Sequence, residues 1–361
     1  MDYRDKQRCR YNRERRYVKS GISDRKKQGG NLMKKSLLLV FLIACILSFG
    51  AKSEAKAIKD LKVAGFFQTA IEEPWDGAIH VALLAKQKEL GFTYEFAEKT
   101  GASDIERVLR EYCERGFDLI IGDAFLAGEE PTRRVAKDYP KVAFAFGGEF
   151  GPQAPNYSVF DNYIHEPAYL CGIIAGRMTK TNILGIVAAI PIPEVNRLVN
   201  AFKLGALSVN PKTKIKIAYI GGWFDPAKTK EAAMAQMEAG ADFMYAERFG
   251  VFEAAIEKKV LTFGNMVDQH KLAPSVVVTG PVWNVEPIVQ YCLEQVSAGK
   301  WKEGNLKEYS MMAKGGSSLA PFHEFEKKLP TAVIKEVRAK EADIKSGKFT
   351  VPIIEKELKS D

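Results

Sequence analysis

Leu61-Lys62-Val63-Ala64-Gly65-Phe66-Phe67-Gln68-Thr69 decides how this chain is read. The run 61–67 is short and apolar, the pattern of a strand buried on both faces. Residues 75–90 then carry helical periodicity and stop before Gly91, and 92–97 reads as a second strand. Strand, helix and strand at this spacing build a parallel sheet. The turn after the first strand excludes one large class. A dinucleotide enzyme carries a glycine-rich phosphate loop there. This chain carries Phe66, Phe67 and Gln68 instead.

The alternation continues outward. Asp104 is placed to N-cap a helix over 104–115 that Gly116 stops. Strands follow at 117–121 and 142–146, with a helix over 130–139 between them. An edge strand is expected at 157–163 and a helix at 166–180. The pattern then begins again, with strands at 183–189, 215–220, 242–245, 260–263 and 276–279. Helices separate them at 194–209, 226–239, 251–258 and 285–298. The expected fold class is α/β, two doubly wound parallel-sheet lobes joined by a hinge. Residues 58–180 form lobe 1 and 181–284 lobe 2. Residues 285–361 return to lobe 1 and end in a helical segment with a ragged tail.

The first 57 residues read differently. Met33-Lys34-Lys35-Ser36 precedes an apolar run over 37–49, and Ala55-Lys56-Ala57 follows a short polar stretch. This is the pattern of a secretory signal peptide. The run falls short of the 20 or so residues that span a bilayer. Residues 1–32 are read as a misassigned upstream extension, with Met33 the true start. Cleavage after Ala57 competes with lipidation of Cys45, which ends Leu42-Ile43-Ala44-Cys45. The apolar residues after Cys45 favour Ala57. Lipidation would tether the protein to the membrane surface. Either way the rest of the chain is expected outside the plasma membrane, in a periplasm or on the outer face.

Charge supports that division. The whole chain is +8, but residues 1–57 hold 15 Lys and Arg against 5 Asp and Glu. Removing that +10 leaves −2 for 58–361, so a nucleic-acid partner loses its electrostatic support. Cys113, Cys171 and Cys292 remain, an odd and widely spaced set that makes no disulfide framework. Cys113 and Cys171 lie in helical patterns, as small buried residues. The four histidines are scattered along the sequence, and no cluster suggests a metal or cofactor.

No catalytic motif is present. Aromatic and carboxylate residues recur instead just after the strand ends, where open α/β sheets bind ligands. Phe67, Trp75, Asp123, Phe125 and Asp161 follow strands of lobe 1. Glu194, Trp223, Phe224, Asn265 and Trp283 follow strands of lobe 2. Aromatic faces with a few placed acceptors suit a flat ring with polar edges, such as a nucleobase. Several of these residues have plainer roles. One of Phe66 and Phe67 belongs to the core, Trp75 could pin its helix, and Asp225 is mainly an N-cap. Glu194 suits a first helical turn. Trp223, in a Gly-Gly-x-x-Asp loop, has little reason to be buried.

Trp223-Phe224-Asp225-Pro226 and Pro191-Ile192-Pro193-Glu194-Val195 resemble the basic membrane protein family of bacterial substrate-binding lipoproteins. The segments 118–122, 165–172, 202–206 and 240–242 add to the resemblance, which covers about residues 58–330. It implies a type I periplasmic-binding-protein fold and a purine nucleoside or base as ligand. It also implies ABC transporter permease subunits as partners for a monomer. By position it marks Trp75, Phe125, Asp161, Trp223 and Phe224 as ligand-facing. Family members that bind nucleosides place a carboxylate after a late strand of lobe 2. Here that stretch is Gly264-Asn265-Met266, which favours a free base. The expected function is therefore solute binding for an importer, without enzymatic activity. An exported nucleoside hydrolase, which needs a carboxylate cluster, and a sensory co-receptor are the alternatives.

Overall fold

The computed structural model describes residues 55–361, so the signal peptide, the Cys45 lipidation site and the start codon lie outside the described residues. The first sheet is parallel, with strand order β2-β1-β3-β4-β5. Its strands are β1 (Lys62–Phe66), β2 (Thr93–Ala97), β3 (Leu119–Asp123), β4 (Ala143–Gly147) and β5 (Tyr157–Phe160). The second sheet repeats the plan with β6 (Ile183–Ala188), β7 (Lys214–Tyr219), β8 (Phe243–Ala246), β9 (Leu261–Phe263) and β10 (Val277–Thr279), in the order β7-β6-β8-β9-β10. In each sheet the strand order reverses beside the first strand. The crevice at such a switch point is where doubly wound sheets bind ligands. Here it falls after β1 and β3, and again after β6 and β8.

Both sheets are buried on both faces, as their apolar strands require. Every residue of β3 and β4 is buried. Phe66 and Phe67 are both inaccessible to solvent. The crossover helices of the first sheet are α1 (Pro74–Leu90), α2 (Ile105–Glu114) and α3 (Glu129–Asp138). α1 ends where expected, with Gly91 at φ 79°, a left-handed cap that favours glycine. Asp104 does not cap α2. Its backbone is already helical and its carboxylate turns to Arg107 Nε at 3.1 Å.

α4 (His165–Met178) leads into the second sheet, whose crossovers include α5 (Pro193–Val209), α6 (Pro226–Glu238) and α7 (Val251–Lys258). α4 and α5 pack with their backbones almost touching. A Cβ on Gly172 would strike the Phe202 carbonyl, and one on Gly205 the Tyr169 carbonyl. Asp225 does cap α6, accepting from Lys228 N at 3.0 Å.

After β10 the chain makes a short antiparallel pair that the sequence pattern did not show, β11 (Pro281–Trp283) with β12 (Ser317–Leu319). Between them α8 (Glu286–Ser297) packs on α1 and β3, returning the chain to the first sheet. After β12 come α9 (Phe325–Lys328) and α10 (Thr331–Lys345), and α10 packs on α4. The end of the chain is not ragged. Residues 354–356 accept from Asn196 and Asn200 of α5, and 358–361 run along the open edge of β7. Asp361 N donates to Ile215 O at 2.9 Å, and Ser360 Oγ accepts from Ile217 N at 2.9 Å. An uncovered edge strand would otherwise expose its hydrogen-bonding groups.

Cys113, Cys171 and Cys292 are free and buried. Two histidines are not scattered in space. The rings of His270 and His323 stack at 4.1 Å, with Glu324 on the first and Asp268 on the second. Among the described residues, no helix is long and apolar enough to cross a membrane.

Candidate functional site

A cavity of about 670 Å³ lies at the switch points of both sheets, within the usual size range for small-molecule sites. Lobe 1 contributes Gln68 and Thr69 after β1, Glu73, Trp75 and Asp76 at the start of α1, and Asp123 and Phe125 after β3. Lobe 2 contributes Glu194, Trp223 and Phe224, then Glu247, Arg248 and Phe249 after β8, then Asn265, Met266 and Gln269 after β9.

The lobe 1 wall is tightly held. Glu73 caps α1 through Oε2, which accepts from Trp75 N at 2.8 Å. The indole of Trp75 meets Phe125 edge-on, with ring centres 5.2 Å apart, and leans on Trp283 at 4.6 Å. Asp123 Oδ1 accepts from Phe125 N and Oδ2 from Gln68 Nε2, both at 3.0 Å. Asp76 accepts from Thr69 N and Oγ1. Burial, reinforced by the neighbouring Asp76 charge, pushes the Asp123 carboxyl up to about 8. Burial takes Asp76 to about 6. A neutral carboxyl can donate as well as accept a hydrogen bond.

The lobe 2 wall is built around ions. Glu247 is buried and its Oε2 accepts from Ala189 N at 2.9 Å. Arg248 Nε donates to the same oxygen at 2.9 Å, and its guanidinium lies 5.0 Å from the centre of the Trp223 ring. Phe224 stands 74% exposed at the mouth. Glu194 Oε1 accepts from Asn162 Nδ2 at 2.8 Å. Burial, then the charge of Asp161, pushes the Glu194 carboxyl up to about 8. Asn265 Oδ1 accepts from Tyr245 Oη at 2.9 Å, and Gln269 Oε1 from Asn265 N at 2.8 Å.

Seven of the ten expected residues therefore meet on one cavity: Trp75, Asp123, Phe125, Glu194, Trp223, Phe224 and Asn265. Three do not reach its wall. Phe67 is core, edge-on to His80. Asp161 is turned away into an ion pair with the buried Arg197, whose guanidinium also covers the Tyr163 ring at 4.1 Å. Trp283 stands behind Trp75, with its Nε1 donating to Ser310 Oγ at 3.0 Å, and lines a neighbouring groove. Gln68, Glu73, Asp76, Glu247, Arg248 and Gln269 were not among the expected residues. The strand-end rule that selected the others also covered Gln68 and Glu247-Arg248.

These features define a two-lobed protein of the solute-binding fold class, with a cavity between two similar sheets. The chain belongs to the Bmp family, described as ABC transporter substrate-binding protein, PnrA-like, whose sequence profile matches residues 63–355. A purine-binding protein of Brucella abortus is 32% identical over 278 residues, 76% of each chain. The ABC transporter nucleoside-binding protein BmpA of Lactococcus lactis is 27% identical, over 74% of this chain and 79% of that one. A solute-binding protein of an ABC transporter system from Conexibacter woesei shares the fold. Its TM-score is 0.64 at 23% identity, over 81% of this chain and 99% of that one.

Proposed function

We propose that this protein is an exported receptor that closes two lobes on a purine base and delivers it to the permease of an ABC importer. The observation that carries this reading is the cavity itself. It presents aromatic rings from both lobes and, in Asp123 and Glu194, one buried carboxyl from each lobe. Aromatic faces take the ring and the carboxyls take its polar edge. The relative named for purine binding supports the same ligand class.

A free base fits better than its nucleoside. In the corner formed by Asn265, Met266 and Gln269, the side-chain oxygens already accept from Tyr245 and from the Asn265 backbone. The Met266 thioether accepts from Asn162. Ribose hydroxyls buried there would lack strong acceptors, at about 1–3 kcal/mol for each unsatisfied group. Calorimetry with adenine, adenosine, hypoxanthine and inosine tests this. Bases should bind more tightly, with a smaller radius of gyration by X-ray scattering at saturation. Tighter binding of the nucleosides would overturn the base assignment.

A nucleoside hydrolase would need a carboxylate cluster in the cleft. Glu73, Asp76, Asp123, Glu194 and Glu247 do gather here. Each already accepts from a backbone or side-chain donor within the protein. Among the described residues, no group of three or more could hold a metal. Incubation with nucleosides should therefore release no free base, as followed by chromatography.

A further inference from the structure

Arg248 is a costly residue to place in a site for an uncharged ring. Its guanidinium must leave water, and half-buried charges persist only when paired. Glu247 supplies that partner and also fixes its geometry. Both Glu247 oxygens face Arg248, and one is pinned by the Ala189 amide. The Trp223 ring supports the guanidinium from one face. Position and plane are therefore set before a ligand arrives.

A guanidinium has two donor edges. Glu247 takes the Nε–Nη2 edge. Among the described residues, Nη1 makes no hydrogen bond, so the Nη1–Nη2 edge stays available in the cavity that Arg248 lines. Such a fork recognises two adjacent acceptors. On a purine these are O6 and N7 of a 6-oxo ring. A 6-amino ring presents N7 beside an N–H donor, and Arg has only donors to offer it.

We propose that Arg248 makes this site selective for 6-oxopurines over 6-aminopurines, by donating its Nη1–Nη2 fork to O6 and N7 of the bound base. The proposal rests on the purine reading above and adds the identity of the 6-substituent. Glu247 acts as a positioning residue, holding the fork toward the cavity. Trp223 is then the support of that arginine, which leaves Phe224 as the lobe 2 ring free to cover the base. After Glu247, the charges of Glu194 and then of Glu73 on the facing wall also act on Arg248.

The test is calorimetry of hypoxanthine against adenine, first on the unaltered protein and then on Arg248→Gln. The unaltered protein should favour hypoxanthine by roughly tenfold to a hundredfold, the discrimination of one bidentate pair. Gln offers one acceptor and one donor, the match for N6 and N7 of adenine. Arg248→Gln should therefore erase or reverse the ratio, which general damage to the site would not do. Equal binding, or tighter adenine, in the unaltered protein overturns the proposal while the purine reading stands. An unchanged ratio in folded Arg248→Gln also overturns it. Failure of both bases to bind the unaltered protein defeats the purine reading and this proposal together. The first comparison needs no variant, so it decides even where Arg248→Gln does not fold.

Discussion

The two walls of the cleft share one strand order but hold their aromatic residues differently. On the lobe 1 side, Trp75 is wedged between Phe125 and Trp283, and Trp283 is itself 3% exposed. On the lobe 2 side, Phe224 stands 74% exposed, edge-on to Phe249 at 6.3 Å. Lobe 1 thus presents a surface that folding has already packed. Lobe 2 presents a ring that gains most of its contacts only when something enters. The same sheet plan puts both at strand ends, and what lies behind each ring decides whether it serves the fold or the ligand.

The sharpest way to break that contrast is to remove the ring that backs Trp75 and, separately, the open ring at the mouth. Trp283→Ala deletes a buried indole and leaves Ser310 Oγ without its donor. It should cost about 3–5 kcal/mol in urea unfolding, and weaken ligand binding through the loss of support for Trp75. Phe224→Ala should leave stability within about 0.5 kcal/mol. It should nevertheless weaken ligand binding by about tenfold to a hundredfold, the range for a base stacked on an aromatic ring. If Phe224→Ala destabilises the protein as Trp283→Ala does, or leaves affinity unchanged, the two walls do not divide the work in this way.

Carboxyls sharpen the comparison at the next level. Glu194 in lobe 2 is raised from 4.5 to about 8 by burial. Its neutral form is the one the folded state accommodates. The stability it contributes is fully present below about pH 4.5 and is lost as pH rises toward 8, because the unfolded chain gives up that proton first. Glu194→Gln stays neutral and keeps an oxygen for Asn162 Nδ2. The melting temperature of the variant relative to the unaltered protein should therefore rise from about pH 5 to about pH 8 and level off above it. A difference that stays flat across that range would show that Glu194 does not titrate there.

Much of this was legible in the sequence, for a physical reason. Strands buried on both faces read as apolar runs, and helices between them show period 3.6. The alternation alone therefore gave the parallel sheets and the strand ends where Trp75, Asp123, Glu194 and Trp223 meet. The β11–β12 pair was not legible, because Pro281–Trp283 and Ser317–Leu319 lack the apolar run that marked the equally short β9 and β10. Nor was the docking of residues 358–361 on β7, which depends on the side chains of Ser360 and Asp361 finding backbone partners far away in sequence. Phe67, Asp161 and Trp283 show the same limit from the other side. Each follows a strand, as a ligand residue should, but the side chain's direction depends on long-range partners such as Arg197 and Ser310. Arg248 was hidden because only Glu247, Trp223 and the cavity together make it more than a surface charge.

The smallest expected effect concerns helix caps, and it returns to the two walls. Asp225 ends the loop that carries Trp223 and Phe224, and its carboxylate accepts from Lys228 N at the start of α6. Asp104 stands before α2 in the first sheet's layer and makes no such bond. Its contact is an exposed pair with Arg107 at 3.0 Å. Removing a working cap costs about 1 kcal/mol, whereas an exposed pair three residues apart is worth about 0.2–0.5 kcal/mol. Asp225→Ala should therefore lower stability more than Asp104→Ala, measured side by side in urea. It should also weaken ligand binding slightly, since the cap anchors the loop that positions Phe224, while Asp104→Ala should leave binding alone. Equal costs for the two substitutions would mean that Asp104 caps its helix in solution. An unchanged affinity in Asp225→Ala would mean that the Trp223–Phe224 loop is held from the Arg248 side instead.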